Sequence, residues 1–381
     1  MFPNRQKLNI DSEWILVPDP EQMGEENNWF QNPPIGKGVE VHIPLREPLD
    51  DSIASSALWF VKEFEVQDSW DNSQIFLILQ NINFKATIWL NGNFVGKHEG
   101  AFTSFQFHIT KHIKPGVNLL TIQVLPFSAV EKVNPAYIYD LSWISYPGIW
   151  GSVYIEIVPK SHIQEVYVKP DIRGKRIVAN VHVNSKGGIV KATIPELNVA
   201  LESDRPKLVI ELNDFETWTM DSPKLYDLHI EYLSEEQSDY TKIRLGMRDF
   251  SVRENRFIFN FKPFVTKALY FNWHIQDLNL PIFSEDNLRG LFSKVREANF
   301  NLILTYGKPV PEKMLQICDE LGLMIAETPS FRYDTGSKRY KYLVEQEISE
   351  FVKSHINNPS LTWLQFEYLP DELDITDFVR E

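Results

Sequence analysis

At 381 residues the chain exceeds the span of one ordinary domain and leaves room for two or three. An aromatic content of 13%, with 10 Trp and 25 Phe, beside 24% charged residues excludes a disordered chain. The net charge of -14, with no run of clustered Lys and Arg, excludes a polyanion-binding surface and so argues against nucleic acid as a partner.

A single cysteine, Cys318, excludes an intrachain disulfide and a multi-cysteine metal centre; set in an apolar helix beside Asp319, it reads as a packing residue. The opening MFPNRQKLNIDSEW has no apolar core of the kind a signal peptide needs, and nowhere do about eighteen apolar residues run together. The expectation is a cytoplasmic chain without a membrane partner; a removed leader would make it periplasmic or secreted.

In chain order, the first pattern runs from Trp59 to Val158. WFVKEFEV, SQIFLILQNI, ATIWLNGNFVG, TSFQFHI, NLLTIQVL and GSVYIEIV alternate apolar and polar residues with a period of two, as half-buried antiparallel strands do. Asn91-Gly92 is a hairpin signal, because both central residues of the turn need positive φ. The spacing predicts a jelly-roll β-sandwich over residues 1–159. A second group, EVYVKP, RIVANVHV, KATIPEL, KLVIELN and LYDLHIEYL, predicts an immunoglobulin-like β-sandwich over 160–249.

After Arg248 short apolar runs alternate with helical patterns, the mark of βα units and a parallel sheet. Strands are expected at FVTKALYF, NLILTY, LMIAET and LTWLQFE. Helices are expected at SEDNLRGLFSKVREA, PEKMLQICDELG and RYKYLVEQEISEFVKSH. Ser284 and Asn287 make half a capping box, and Gly322 is a C-cap signal. Residues 250–381 thus read as the N-terminal half of a (β/α)8 TIM barrel, giving a multidomain β plus α/β chain. An open half sheet would leave an unpaired edge. That edge points to a fragment of a longer enzyme, to self-association as a homo-oligomer, or to a second polypeptide completing the barrel. The closing DITDFVRE reads as the start of a helix.

The ordered motifs resemble glycoside hydrolase family 2, the β-galactosidase, β-glucuronidase and β-mannosidase group. LNIDSEWILVPDP with Gly24 and Trp29, ATIWLNGNFVGKHEGAFTSFQFHIT and YPGIWGSVYIEIV are similar to the family's jelly roll. DSPKLYDLHI and GMRDFSVRENRFIFNFKP resemble the end of its sandwich and the approach to its barrel. REANFNLILTYGKPVPEKMLQICDELGLMIAE resembles barrel strands two and three, and INNPSLTWLQFE the fourth. The resemblance implies retaining hydrolysis of a β-glycosidic bond by two carboxyl groups about 5–5.5 Å apart. Divalent cations assist some members of that group, but no cluster of carboxylates in this sequence commits the chain to one, so no cofactor is expected.

By position Glu367 matches the family's general acid. Three departures accompany it: Phe366 replaces the usual Asn, Leu304 and Gly307 stand where the family usually offers Arg and His, and no residue matches the nucleophile. Glu327, ending the LMIAE strand, is a second carboxylate expected to point toward the barrel mouth; otherwise it caps a turn or pairs with a cation. Trp273, His274 and Asp277 lie where the family carries polar substrate contacts. In the jelly roll, Asn91, Trp89, Trp143, Tyr146 and Trp150 are sugar-contact candidates or core residues. His98 and His108 lack a third ligand, so no metal site is expected. The second functional class is a non-catalytic carbohydrate-binding or assembly module.

Overall fold

The computed structural model describes residues 5–46, 49–50, 53, 56–66, 70, 72–131, 147–235, 237–273, 283–306, 310–328 and 338–364. Alternation in the first segment produces two antiparallel sheets. One runs in the order Gln6–Asn9, Val153–Pro159, Ser73–Gln80, Ser104–His108. The other runs Gly148–Ile149, Ile82–Leu90, Gly116–Leu125, Ala57–Val66, Trp14–Asp19, Val39–Val41, with Asn93–Gly100 pairing Ile82–Leu90. Leu58, Phe60, Ile88, Ile122 and Val124 project from one face into the core between the sheets. Asn91 and Gly92 take φ of 54° and 78°, and Leu90 pairs with Asn93, as a two-residue hairpin turn requires. The strands at Gln6–Asn9, Trp14–Asp19, Val39–Val41 and Gly148–Ile149 lie outside the expected set.

The next two sheets enclose a core of their own. Ile163–Asp171, Arg176–Val183 and Lys207–Glu211 form one; Val199–Ser203, Ile189–Ile194, Tyr226–Leu233 and Ser238–Leu245 form the other. Ile177, Val181, Ile194, Ile210, Leu228 and Ile230 fill the space between them.

A small antiparallel sheet, Phe250–Arg253, Arg256–Phe259 and Lys262–Phe264, then leads to four parallel strands. These are β1 (Ala268–Tyr270), β2 (Leu302–Tyr306), β3 (Met324–Thr328) and β4 (Leu361–Leu364), paired in sequence order. The intervening helices are α1 (Glu285–Glu297), α2 (Glu312–Leu321) and α3 (Lys338–His355). Ser284 caps α1 by accepting the Asn287 N–H, and Gly322 ends α2 in the left-handed region at φ 66°. The expected strand FVTKALYF shrinks to β1, and the expected LTWLQFE is described only through Leu364.

Alternation along β2 and β3 separates two faces. Ile303 and Ile325 meet Phe292 of α1 and Leu315 and Cys318 of α2, in an apolar core continuous with that of the first sandwich. Leu302, Met324 and Ala326 face the other way and pack with Trp218 and Phe259. The interior of the small sheet therefore closes over the strand face opposite the helices.

Candidate active site

Glu327 follows Ile325 by two residues on β3 and so shares its helix-facing side, next to Thr305 of β2. It is fully buried. One carboxylate oxygen accepts the Val310 backbone N–H at 2.7 Å, and the other takes His355 Nδ1 at 3.2 Å. The ring nitrogen is the donor, since a carboxylate only accepts. Glu327, expected to point toward the barrel mouth, lies instead on the helix-facing side by the period-two alternation, where its oxygens are occupied by the Val310 backbone N–H and by His355 at the end of α3. Its pairing reading is the one the geometry supports.

The segment leading into β4 is held from several sides. Ser360 N–H donates to Asp319 Oδ1 at 2.8 Å, and Asn358 Nδ2 donates to Asp319 Oδ2 at 2.6 Å. Ser360 Oγ reaches the Leu315 carbonyl, and Arg248 Nη2 donates to the Leu361 carbonyl. Asn357 spends both ends of its amide on the strand Ile163–Asp171, accepting Val168 N–H at 2.9 Å and donating to the Val166 carbonyl at 2.8 Å. It thus completes that strand's edge as a one-residue neighbour would. Burial pushes the Asp319 carboxyl up to about 6, against the downward pull of Ser360, Asn358 and the Arg248 charge. Burial lowers Arg248 to about 10, against the pull of Asp319 and Asp249. Together these contacts fix where the chain enters β4.

Glu367, Phe366, His274, Asp277, Gly307, Trp143 and Tyr146 lie outside the described residues. Leu304 is described and lies on the face covered by the small sheet, packed against the Trp218 and Phe259 cluster. Trp273 is described and buried in the core, its ring against Phe102 at 5.8 Å and Phe283 at 6.2 Å. Asn91 is likewise spent on structure. Its Nδ2 donates to the His112 carbonyl and to Asn118 Oδ1, and its Oδ1 accepts Leu119 N–H.

Trp89 stacks between Trp59 and Phe30, and Trp150 is buried. His98 bonds Glu350 of α3, whereas His108 bonds Thr110. Cys318 is buried, which pushes its thiol well above the ordinary value. Among the described residues no three His, Cys, Asp or Glu gather as metal ligands, and no helix is long and apolar enough to cross a membrane.

The anchoring set Arg248, Asp319, His355, Asn357, Asn358 and Ser360 was not singled out as functional from sequence. One signal was available: Asp319 falls four residues after Leu315 and one after Cys318, on the apolar stripe of α2, where a carboxylate needs partners.

The described chain is two β-sandwiches followed by a parallel βα sheet. Residues 4–159 match the sugar binding domain of glycosyl hydrolases family 2. A β-galactosidase of Thermoanaerobacter pseudethanolicus is 24% identical over 99% of this chain and 53% of its own length. A putative β-glucuronidase of Formosa agariphila is 22% identical over 97% of this chain and 47% of its own. The chain therefore spans about half the length of these relatives. The Ruminococcus gnavus β-glucuronidase superposes with a TM-score of 0.79 at 18% identity, covering 94% of this chain and 66% of that one. A β-glucuronidase of an uncultured Clostridium gives 0.78 at 21%, covering 95% and 68%. Over residues 4–159 the chain resembles the family 2 glycosyl hydrolases, and its fold is that of the β-glucuronidases it superposes on.

Proposed function

We propose that the chain is the acid-bearing part of a retaining β-glycosidase of family 2, with Glu367 as the general acid. The division is 1–159 jelly roll, 160–249 immunoglobulin-like sandwich and 250–381 first half of a (β/α)8 barrel. The carrying observation is the sequential parallel order β1 to β4, with the turn before β4 pinned through Asn357, Asn358 and Ser360. That anchoring fixes where β4 begins, and Glu367 follows this strand in sequence on the side of its C-terminal end, where active sites of this fold lie.

Glu327 has no place in this reading, because both of its oxygens are committed on the helix side. No residue of these 381 is assigned as the nucleophile, and Phe366 cannot donate the hydrogen bond that the family's Asn makes. The isolated chain is accordingly read as not turning over glycosides. Phe366 also favours the second reading, a non-catalytic carbohydrate-binding or assembly module.

Incubation with nitrophenyl β-galactoside, β-glucuronide and β-mannoside tests the proposal. No release of nitrophenol is expected from these residues alone. Turnover that disappears in Glu367→Gln would overturn the incomplete-site reading while upholding the acid.

A further inference from the structure

A groove of about 640 Å³ opens where both sandwiches meet α3. Its floor on the first sandwich comes from Ser104–His108, and one wall comes from Ile163–Asp171 of the second. The other wall is a single face of α3. Tyr342, Gln346, Glu350 and Lys353 follow one another at spacings of four, four and three, which align on one side of a helix over about 16 Å.

Arg5 and Lys353 in the lining are ion-paired and Glu350 is hydrogen-bonded, while Lys97 stands exposed at the groove. Arg5 is held by Asp239 at 2.7 Å and Glu156 at 3.3 Å, Lys353 by Glu165 at 2.6 Å, and Glu350 by His98 at 3.1 Å and Thr103 at 2.6 Å. Ring surface and uncharged polar groups remain on offer. Tyr342 is 62% exposed, unusual for a ring on a packed helix, and Phe107 and Tyr167 are half-buried. Ser104, Gln106 and Gln164 are exposed, and none of their side chains is spent on a hydrogen bond within the described chain.

Aromatic faces bind apolar C–H surfaces, and each carboxamide offers two donors and an acceptor to hydroxyls. A ligand matching this lining is uncharged, elongated, apolar on one face and hydroxyl-rich at its edges. We infer that the groove is a second carbohydrate site, taking a neutral β-linked oligosaccharide along α3. The inference rests on the glycosidase reading only for the choice of ligand class. One end of the groove lies at the start of α3, the helix that follows β3, so a glycan bound there would be held beside the parallel sheet independently of catalysis.

Isothermal titration of the intact chain with cellopentaose, xylopentaose and β-1,4-galactopentaose reads this directly. Saturable binding of at least one is expected. Tyr342→Ala, at an exposed position whose loss opens no core, is expected to weaken it about tenfold, and Gln106→Ala with Gln164→Ala to weaken it further. Absence of saturable heat with all three glycans overturns the inference, and so does binding indifferent to the Tyr342 and glutamine changes. Binding lost only in Glu367→Gln would place the sugar at the end of the parallel strands and also overturn the groove. The readout is heat, not turnover, so failure of the groove and failure of the acid assignment are distinguishable.

Discussion

Glu327 shows how a residue type that suggests catalysis can be committed to architecture. A buried carboxylate is costly unless its oxygens are occupied, and here a backbone N–H and a histidine occupy them. Glu327→Ala is expected to destabilise the fold by about 1–3 kcal/mol in urea unfolding, because Val310 N–H and His355 lose their partner inside the protein. Glu327→Gln is expected to cost less, since its amide can accept from Val310 and donate to a neutral His355. An alanine variant as stable as the parent would contradict the assignment.

Two other buried acids set a pH dependence. Burial, reinforced by the Glu350 charge, raises Glu347 to about 8, and burial raises Asp319 to about 6. Each carboxyl keeps its proton in the folded chain at pH values where the unfolded chain has lost it. The native state then binds more protons, so stability falls as pH rises, from about 4 to about 6 for Asp319 and from about 4.5 to about 8 for Glu347. Glu347→Gln removes its share. Denaturation at intervals from about pH 5 to about pH 8 should show the variant gaining on the parent by an amount on the order of a few kcal/mol. Parallel pH profiles would remove Glu347 from the account.

Among the elements, those with strong periodicity were legible. The first sandwich's alternating strands, the helices α1, α2 and α3, the Asn91-Gly92 hairpin and the Gly322 cap all appear where their patterns put them. The small sheet of Phe250–Phe264 was not read because its turns lack the usual chemistry. Glu254-Asn255 and Asn260-Phe261 adopt positive φ at both positions without a glycine, conformations their sequence does not advertise. β1 was overextended because an apolar run does not mark where pairing stops. The direction of Glu327 needed the register of β3 against its helices, which only packing supplies.

The anchoring of β4 was equally invisible, since Asn357 meets Val166 and Val168 across nearly two hundred residues. Its role can be tested locally. Asn357→Ala should cost about 1–3 kcal/mol and speed amide exchange at Val168, whose N–H loses its acceptor. Unchanged protection there would mean that the amide does not hold this edge.

At the scale of the molecule the two largest apolar cores among the described residues divide the chain unevenly. The first runs without a break from the sandwich strands, through Phe102, Trp273 and Phe283, into α1, α2 and the helix-facing side of the parallel sheet. The second is confined to residues between Ile163 and Met247. Sequence boundaries therefore do not coincide with packing units, because the first and third segments share one core, and Trp218 of the second segment, outside its own core, packs with Met324 and Ala326 of the third. Truncation of a fully buried Ile or Leu costs about 2–5 kcal/mol, and that cost is distributed over whatever unfolds with the site.

Ile122→Ala in the first sandwich is expected to raise hydrogen exchange in α1 and α2 as well as in its own sheet. Protection in Arg176–Val183 and Tyr226–Leu233 should be largely retained. Leu228→Ala should do the converse, loosening the second sandwich and sparing α1 and α2. The pair of measurements discriminates shared from separate cores, because a first sandwich that opened alone would leave the helices protected in Ile122→Ala. In that case the continuity through Phe102 and Trp273 would be contact without cooperativity.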